Sequence, residues 1–253
     1  LGTHERVKAF TAAHARRFTS RYYRPDNAVF FVYGDVDFKR LLRMLETNIP
    51  GARSEDSGSR SEDLGSMFNL QSSIFNLQSS KHHQAHVMLG SQTFGYDDDR
   101  RMPLYLLNNL LGGPGMNARL NLSLRERHGL VYTVESSMAS YSDTGCWSVY
   151  FGCDHHDVRQ CVRLVRRELD KVMQHPLSER QLSAAKRQLK GQIAIACDNR
   201  EQYALDFAKN FLHYGRERSI ADLLLRIDAI TTQQLQDVAQ YVFSPERLQL
   251  LEL

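Results

Sequence analysis

Two imidazoles four residues apart are the first arrangement in this sequence that could hold a metal. They belong to His82-His83-Gln84-Ala85-His86. In the zinc helices HExxH and HxxEH that spacing places both rings on one helical face. Here Val87-Met88-Leu89-Gly90 follows directly and reads as a strand. Residues four apart on a strand are separated by roughly 13 Å, too far to share one zinc ion. Ala85 also stands where HxxEH needs its glutamate. The remaining histidines are His4, His14, His128, His155, His156, His175 and His213. None has metal spacing with a general base beside it. No metal ligand and no catalytic residue is therefore expected in the chain as given.

Other chemistries fare no better. The cysteines are Cys146, Cys153, Cys161 and Cys197. They form no CxxC pair and no disulfide framework, so they read as buried free thiols of a reducing, cytoplasmic interior. Cys153, His155, His156 and Cys161 are close in sequence. They straddle a strand end and the following helix, which should point the side chains different ways. There is no GxSxG elbow and no P-loop. Gly112-Gly113-Pro114-Gly115 follows a helix rather than a strand, which argues against a phosphate cradle.

The elements that would position any site are legible from periodicity. Residues 3–22 read as one helix, with an apolar stripe on Val7, Phe10, Ala13, His14 and Phe18. Arg24-Pro25-Asp26-Asn27 ends it. Ala28 to Tyr33 is a continuous apolar run and reads as a strand buried on both faces. It needs a cover, and is expected to dock on the C-terminal part of the chain or on a neighbouring copy. Val36 to Thr47 reads as a short helix. Beyond residue 80 come a strand at 84–90, a helix at 99–111 and a helix at 117–128 stopped by Gly129. A hairpin of 131–141 and 145–153 turns on Ser142-Asp143-Thr144. Helices follow at 157–174, from Ser178 in capping-box spacing with Gln181, and at 200–214, 219–228 and 231–243; a strand closes at 248–253. This order favours an α+β fold, an antiparallel or mixed sheet with helices on one face.

Between these parts the composition shifts. Residues 53–59 and 60–66 read RSEDSGS and RSEDLGS, and 67–73 and 74–80 read MFNLQSS and IFNLQSS. Two adjacent seven-residue units have each been doubled. Two copies of so short a period are no solenoid. The polar units should be a solvated linker. The FNLQSS units could pack on a domain surface, pair as an edge strand, or lie in a groove as a peptide.

The 253 residues carry 32 basic and 29 acidic side chains, a formal net charge of +3. So even a balance makes no case for nucleic acid or an anionic membrane. No run of about 18 apolar residues is present. The chain starts at Leu1 without a signal-like core, and reads as a piece of a longer protein.

Residues 110–145 are the most informative stretch. They hold a Leu-Gly-Gly turn, Ala118-Arg119-Leu120, Leu124-Arg125-Glu126, Gly129-Leu130-Val131-Tyr132 and Ser140-Tyr141-Ser142-Asp143-Thr144-Gly145. This series resembles the second, non-zinc domain of the pitrilysin-type (M16) zinc peptidases. Gln84-Ala85-His86-Val87 is similar to the strand that opens that domain. Tyr22 to Asn27 with Gly34-Asp35-Val36 resembles the end of the family's first domain. The resemblance spans nearly the whole chain except the duplicated units. It implies three parts: the tail of a first domain at 1–48, a linker at 49–80 and a second domain at 81–253.

What the resemblance implies for function is specific. The family's substrate-contacting arginine and tyrosine fall on Arg125 and Tyr132. A sharp turn between them can bring a cation and a phenol to one cavity, where both could hold a peptide carbonyl and the charge developing on it. By residue type alone, Arg125 reads as a solvated helix residue and Tyr132 as a half-buried strand aromatic; the resemblance reverses that reading. Arg119 and Arg127 read as structural or exposed. The family's HxxEH helix and distant glutamate ligand belong to its first domain and are missing here, so zinc is expected in the parent and not in this chain. The expected parent is a zinc endopeptidase whose C-terminal part binds and orients peptide, this part being inactive alone. The alternative is a non-catalytic homologue or subunit that binds peptides or partners. Expected partners are a peptide or unfolded polypeptide, the missing N-terminal half or a partner subunit, and possibly a second copy; nucleic acid and membrane are not among them.

Overall fold

The computed structural model describes residues 3–32, 34–49, 74–76, 84–215 and 219–252. Both RSED units, the first FNLQSS unit, His82 and His83 lie outside the described residues. In chain order the helices and strands are α1 (His4–Lys8), α2 (Ala12–Tyr22), α3 (Phe38–Asn48), β1 (Ile74–Asn76), β2 (Ala85–Thr93) and α4 (Arg101–Gly112). A π-helical turn (Asn121–Glu126) precedes β3 (Val131–Ser140) and β4 (Gly145–Cys153). Then come α5 (Val158–Gln174), α6 (Glu179–Cys197), α7 (Arg200–Tyr214), α8 (Ile220–Asp228), α9 (Thr232–Val242) and β5 (Gln249–Glu252). The chain groups into two compact units, one of residues 1–64 and 194–219, the other of 65–193 and 220–253.

In the first unit the single helix expected over 3–22 is two. Thr11 makes the break. Its hydroxyl accepts from the His14 N–H at 3.4 Å, and His14 Nδ1 accepts from the Thr11 N–H at 3.3 Å. That reciprocal cap starts a new helix one turn after the first ends. The strand expected at 28–33 is also corrected: Ala28 is extended, but residues 28–32 join no strand ladder among the described residues. Val29 and Phe31 are half-buried while Phe30 and Val32 are exposed, so one face is covered and not two. The cover is α7, where the Phe31 ring lies 4.6 Å from Phe207 and 6.4 Å from Tyr203. No residue of α1, α2 or α3 is buried.

The second unit is built on a five-stranded sheet in the order β1-β5-β2-β4-β3. β2, β3, β4 and β5 pair antiparallel, and β1 joins β5 in parallel, with Phe75 opposite Leu251. β1 comes from the second FNLQSS unit. The β2–β4 pairing runs unbroken from Ala85 opposite Cys153 to Thr93 opposite Gly145. Alternation then sorts the faces. Val87, Leu89, Trp147, Val149 and Phe151 are fully buried on one face, whereas Met88 is exposed on the other. The buried face is completed by Leu104, Leu107 and Leu111 of α4, Val165 and Leu169 of α5, and Leu235 and Val242 of α9. This is the α+β layer the element order implied. Among the described residues no helix is long and apolar enough to cross a membrane.

One contact locks α4 to the sheet. The Trp147 indole N–H donates to Asn108 Oδ1 at 3.0 Å, and the Ser136 hydroxyl donates to the Asn108 carbonyl at 2.9 Å. One turn on, a Cβ built on Gly112 would stand 2.6 Å from the Ser136 backbone nitrogen. Only glycine lets the helix end lie this near β3. At the far end Arg100 lies over the Phe94 ring at 4.3 Å and Arg247 over the Tyr241 ring at 4.1 Å, holding α9 to the edge of the core.

Two glycine substitutions should therefore act in opposite directions. Gly112→Ala forces backbone against backbone and should lower stability by about 1–3 kcal/mol. Gly191→Ala, in an exposed position of α6 with nothing within 4 Å, should raise it by about 0.5–1 kcal/mol. Urea unfolding followed by circular dichroism measures both.

Candidate functional site

The corner that carries Arg125 and Tyr132 is made by a helix that ends abnormally. The helix expected at 117–128 begins at Arg119 and widens into a π turn over Asn121–Glu126. There the Arg127 N–H reaches back five residues to the Leu122 carbonyl, at 3.1 Å. Gly129 then takes φ +62, the left-handed conformation that stops a helix. Its N–H bonds the Arg125 carbonyl at 2.9 Å, and the Leu130 N–H bonds the Leu124 carbonyl at 3.0 Å. His128 Nδ1 lies 2.6 Å from the Ser123 carbonyl, which only accepts, so Nδ1 carries the proton. Leu120 and Leu124 are fully buried beneath. The chain thus turns from helix to strand on a fixed frame.

Both expected site residues stand in solvent on this frame. The Arg125 side chain is 48% exposed, and its Nε lies 3.8 Å from Glu126 Oε1, a contact that fixes little. Tyr132 is 80% exposed, not half-buried. It sits inside the irregular register between Val131 and Val134, where β3 departs from β4 before regular pairing begins. Arg119 is different. It is half-buried, and burial pushes its guanidinium down from the ordinary value while nearby Glu168 works the other way. Glu168 is only 5% exposed and holds Lys171 at 2.6 Å. Arg127 is exposed. Arg119 therefore belongs to the packing between the π turn and α5.

An open groove of about 270 Å³ lies on other elements, lined by Lys186, Arg187 and Lys190 of α6 and Asp228 of α8 among others. Lys186 donates to the Asp228 backbone carbonyl at 2.8 Å, and Lys190 to the carboxylate at 2.8 and 2.9 Å. The groove is an ion-paired seam between two helices.

Residues 9–189 match the family model described as the peptidase M16 inactive domain. The chain belongs to the M16 peptidase family. An uncharacterized zinc protease of Streptomyces coelicolor is 31% identical over 245 residues, 96% of this chain and 53% of that protein. A protease from Helicobacter pylori shares the fold at TM-score 0.85 and 17% identity, over 99% of this chain and 60% of that one. The M16 inactive domain from Pseudomonas fluorescens does so at TM-score 0.70 and 17% identity, over 87% and 51%. The chain spans about half the length of the curated relatives it matches.

Relatives named as zinc proteases raise the question of whether this M16 chain can hold zinc. Its described residues do not fit a peptidase zinc centre. His86 lies on β2, not on a helix, and its Nδ1 is 2.7 Å from the Tyr150 hydroxyl. Asp154, His156 and Asp157 offer donor atoms within 4.8 Å of one another, but His156 and Asp154 are exposed and His156 Nε2 already faces Asp157 Oδ2 at 3.4 Å. No step of a metal-assisted hydrolysis is assigned to them.

Two features of this region escape the sequence. β3 is the outermost strand among the described residues, next to β4 alone; a hairpin reads the same at an edge or in the middle. Cys153 at the end of β4 and Cys161 in the first turn of α5, expected to point apart, are both buried.

Gly129 offers a direct check on the frame. Gly129→Ala has open space around its Cβ, so its cost comes from the left-handed backbone alone, about 1–2 kcal/mol. Thermal unfolding should show that loss, and an unchanged midpoint would mean the turn is not held in this conformation.

Proposed function

We propose that this chain is the peptide-receiving, non-catalytic part of an M16 zinc endopeptidase, with Arg125 and Tyr132 contacting the substrate. The observation that carries this reading is their position. A guanidinium loosely paired with Glu126 and a largely exposed phenol flank the start of a ten-residue strand that is outermost among the described residues. An extended peptide can add to such an edge through main-chain hydrogen bonds. The Arg125 guanidinium and the Tyr132 hydroxyl can then donate to a carbonyl of that peptide near the bond to be cut. Membership of the M16 family and relatives named as zinc proteases support the same reading. The metal and the general base belong to the half that the longer relatives carry in addition, so the chain by itself is inactive. In the whole protein that half, or a partner subunit, faces this one across the bound peptide. The division into a first-domain tail at 1–48, a linker at 49–80 and a second domain at 81–253 is part of this proposal.

The full-length protein tests it. Arg125→Ala and Tyr132→Phe should each lower kcat/KM on an unstructured fluorogenic peptide by about 10- to 100-fold, with bound zinc and thermal midpoint unchanged. Wild-type activity in both variants removes the two residues from the site. A full-length protein that carries no zinc and still binds the peptide would be a non-catalytic M16 binding module instead.

A further inference from the structure

The edge of the sheet beyond β5 is filled by three residues, Ile74–Asn76, in parallel register with Leu250, Leu251 and Glu252. They open the second FNLQSS unit. Met67-Phe68-Asn69 opens the first, and the two seven-residue units differ in their first residue alone. A strand ladder is made by main-chain groups, and these are the same in both units. A slip of one residue would turn every side chain to the other face of the sheet. Exchange of one unit for the other does not, because Phe68 takes the place of Phe75 and Asn69 that of Asn76. Two small effects then decide which unit pairs with β5. At the first position isoleucine suits a strand better than methionine. Eight residues lead from Asn76 to Ala85 at the start of β2, and fifteen would lead from Asn69. The longer loop lowers the population about 2- to 3-fold. On the other side the chain from α3 shortens by the same seven residues. That favours the first unit, but by less, since closure depends on the ratio of lengths.

We propose that the outer edge of β5 is a receiving site for either FNLQSS unit, and that the first unit, Met67–Ser73, exchanges with the second by a seven-residue shift. Met67, Phe68 and Asn69 then stand opposite Leu250, Leu251 and Glu252. The rest of the sheet is unchanged, because β5 keeps its antiparallel pairing with β2. What changes is the length of chain on either side. The segment between α3 and the sheet loses seven residues, roughly 25 Å of reach at full extension, and the segment before β2 gains them. The duplication thus gives the tether between the N-terminal helices and the sheet two lengths instead of one.

Hydrogen exchange read by mass spectrometry tests this on the whole chain. Phe75→Pro with Asn76→Pro removes two consecutive amide donors, and alternation along a strand turns one of the two toward β5. Phe68→Pro with Asn69→Pro does the same to the first unit. With the second unit blocked, amides of the first should gain protection at least about twofold over wild type, while residues 249–252 keep theirs. With the first unit blocked, the second should gain in turn. All four prolines together should strip both units and expose residues 249–252. No gain in the first unit when the second is blocked would overturn the proposal. So would a loss at residues 249–252 in that variant as large as with all four prolines. Protection of both units at once in the wild type, lost from both when the second is blocked, would mean that the first unit adds outside β1, which equally overturns the exchange.

Discussion

The second unit depends on how closely α4 can lie on β3. That distance is set by a missing side chain and a shared residue. Gly112 has no Cβ to hold the helix off the Ser136 backbone, and Asn108 takes hydrogen bonds from both Ser136 and Trp147. The Trp147 indole, fully buried, is thereby fixed against Phe243 with ring centres 4.5 Å apart. β3 and β4 cannot slip in register without breaking these bonds. A shift by one residue would also turn every buried side chain toward solvent.

Much of this was legible in the sequence, and the reasons differ by element. The hairpin, α5 and α9 carry strong periodicity and local caps, as at Thr231 and Gln234, so composition and tertiary structure agree. The N-terminal helix misled because its apolar stripe runs across Thr11, while the cap at Thr11 interrupts it. Residues 28–32 misled for a different reason. Their apolar run is compatible with a strand, but strand pairing needs a neighbour, and among the described residues none is present. At the candidate site, Gly129 was readable as a helix stop, and Arg125 and Tyr132 came from family resemblance. The π turn was not readable, because its extra residue per turn depends on how Leu120 and Leu124 fit the core. Exposure was misjudged too: a tyrosine in a strand is usually half-covered, and here the irregular register turns it outward.

The two cysteine-bearing ends and the corner that carries Arg125 and Tyr132 share a design rule. Each lies where a strand meets a helix through a four-residue connection: Arg127–Leu130 at one, Asp154–Asp157 at the other. Short connections leave little freedom, so side chains on either side are held relative to each other without needing a dense network of hydrogen bonds. At one corner the held groups face water, and at the other they face the core.

The open edge of β3 has a colloidal consequence. Alternate residues of the ten-residue strand turn their main-chain groups away from β4, with no partner among the described residues, and only Glu135 on the strand carries a charge. An edge so long and so weakly charged is a template for a second copy of itself. Pairing with a second copy would rise with protein concentration, because Glu135 alone on the strand repels another strand of the same kind. A lysine at an exposed β3 position away from the corner, such as Ser137 or Ala139, would supply the missing repulsion while leaving the fold's interior untouched.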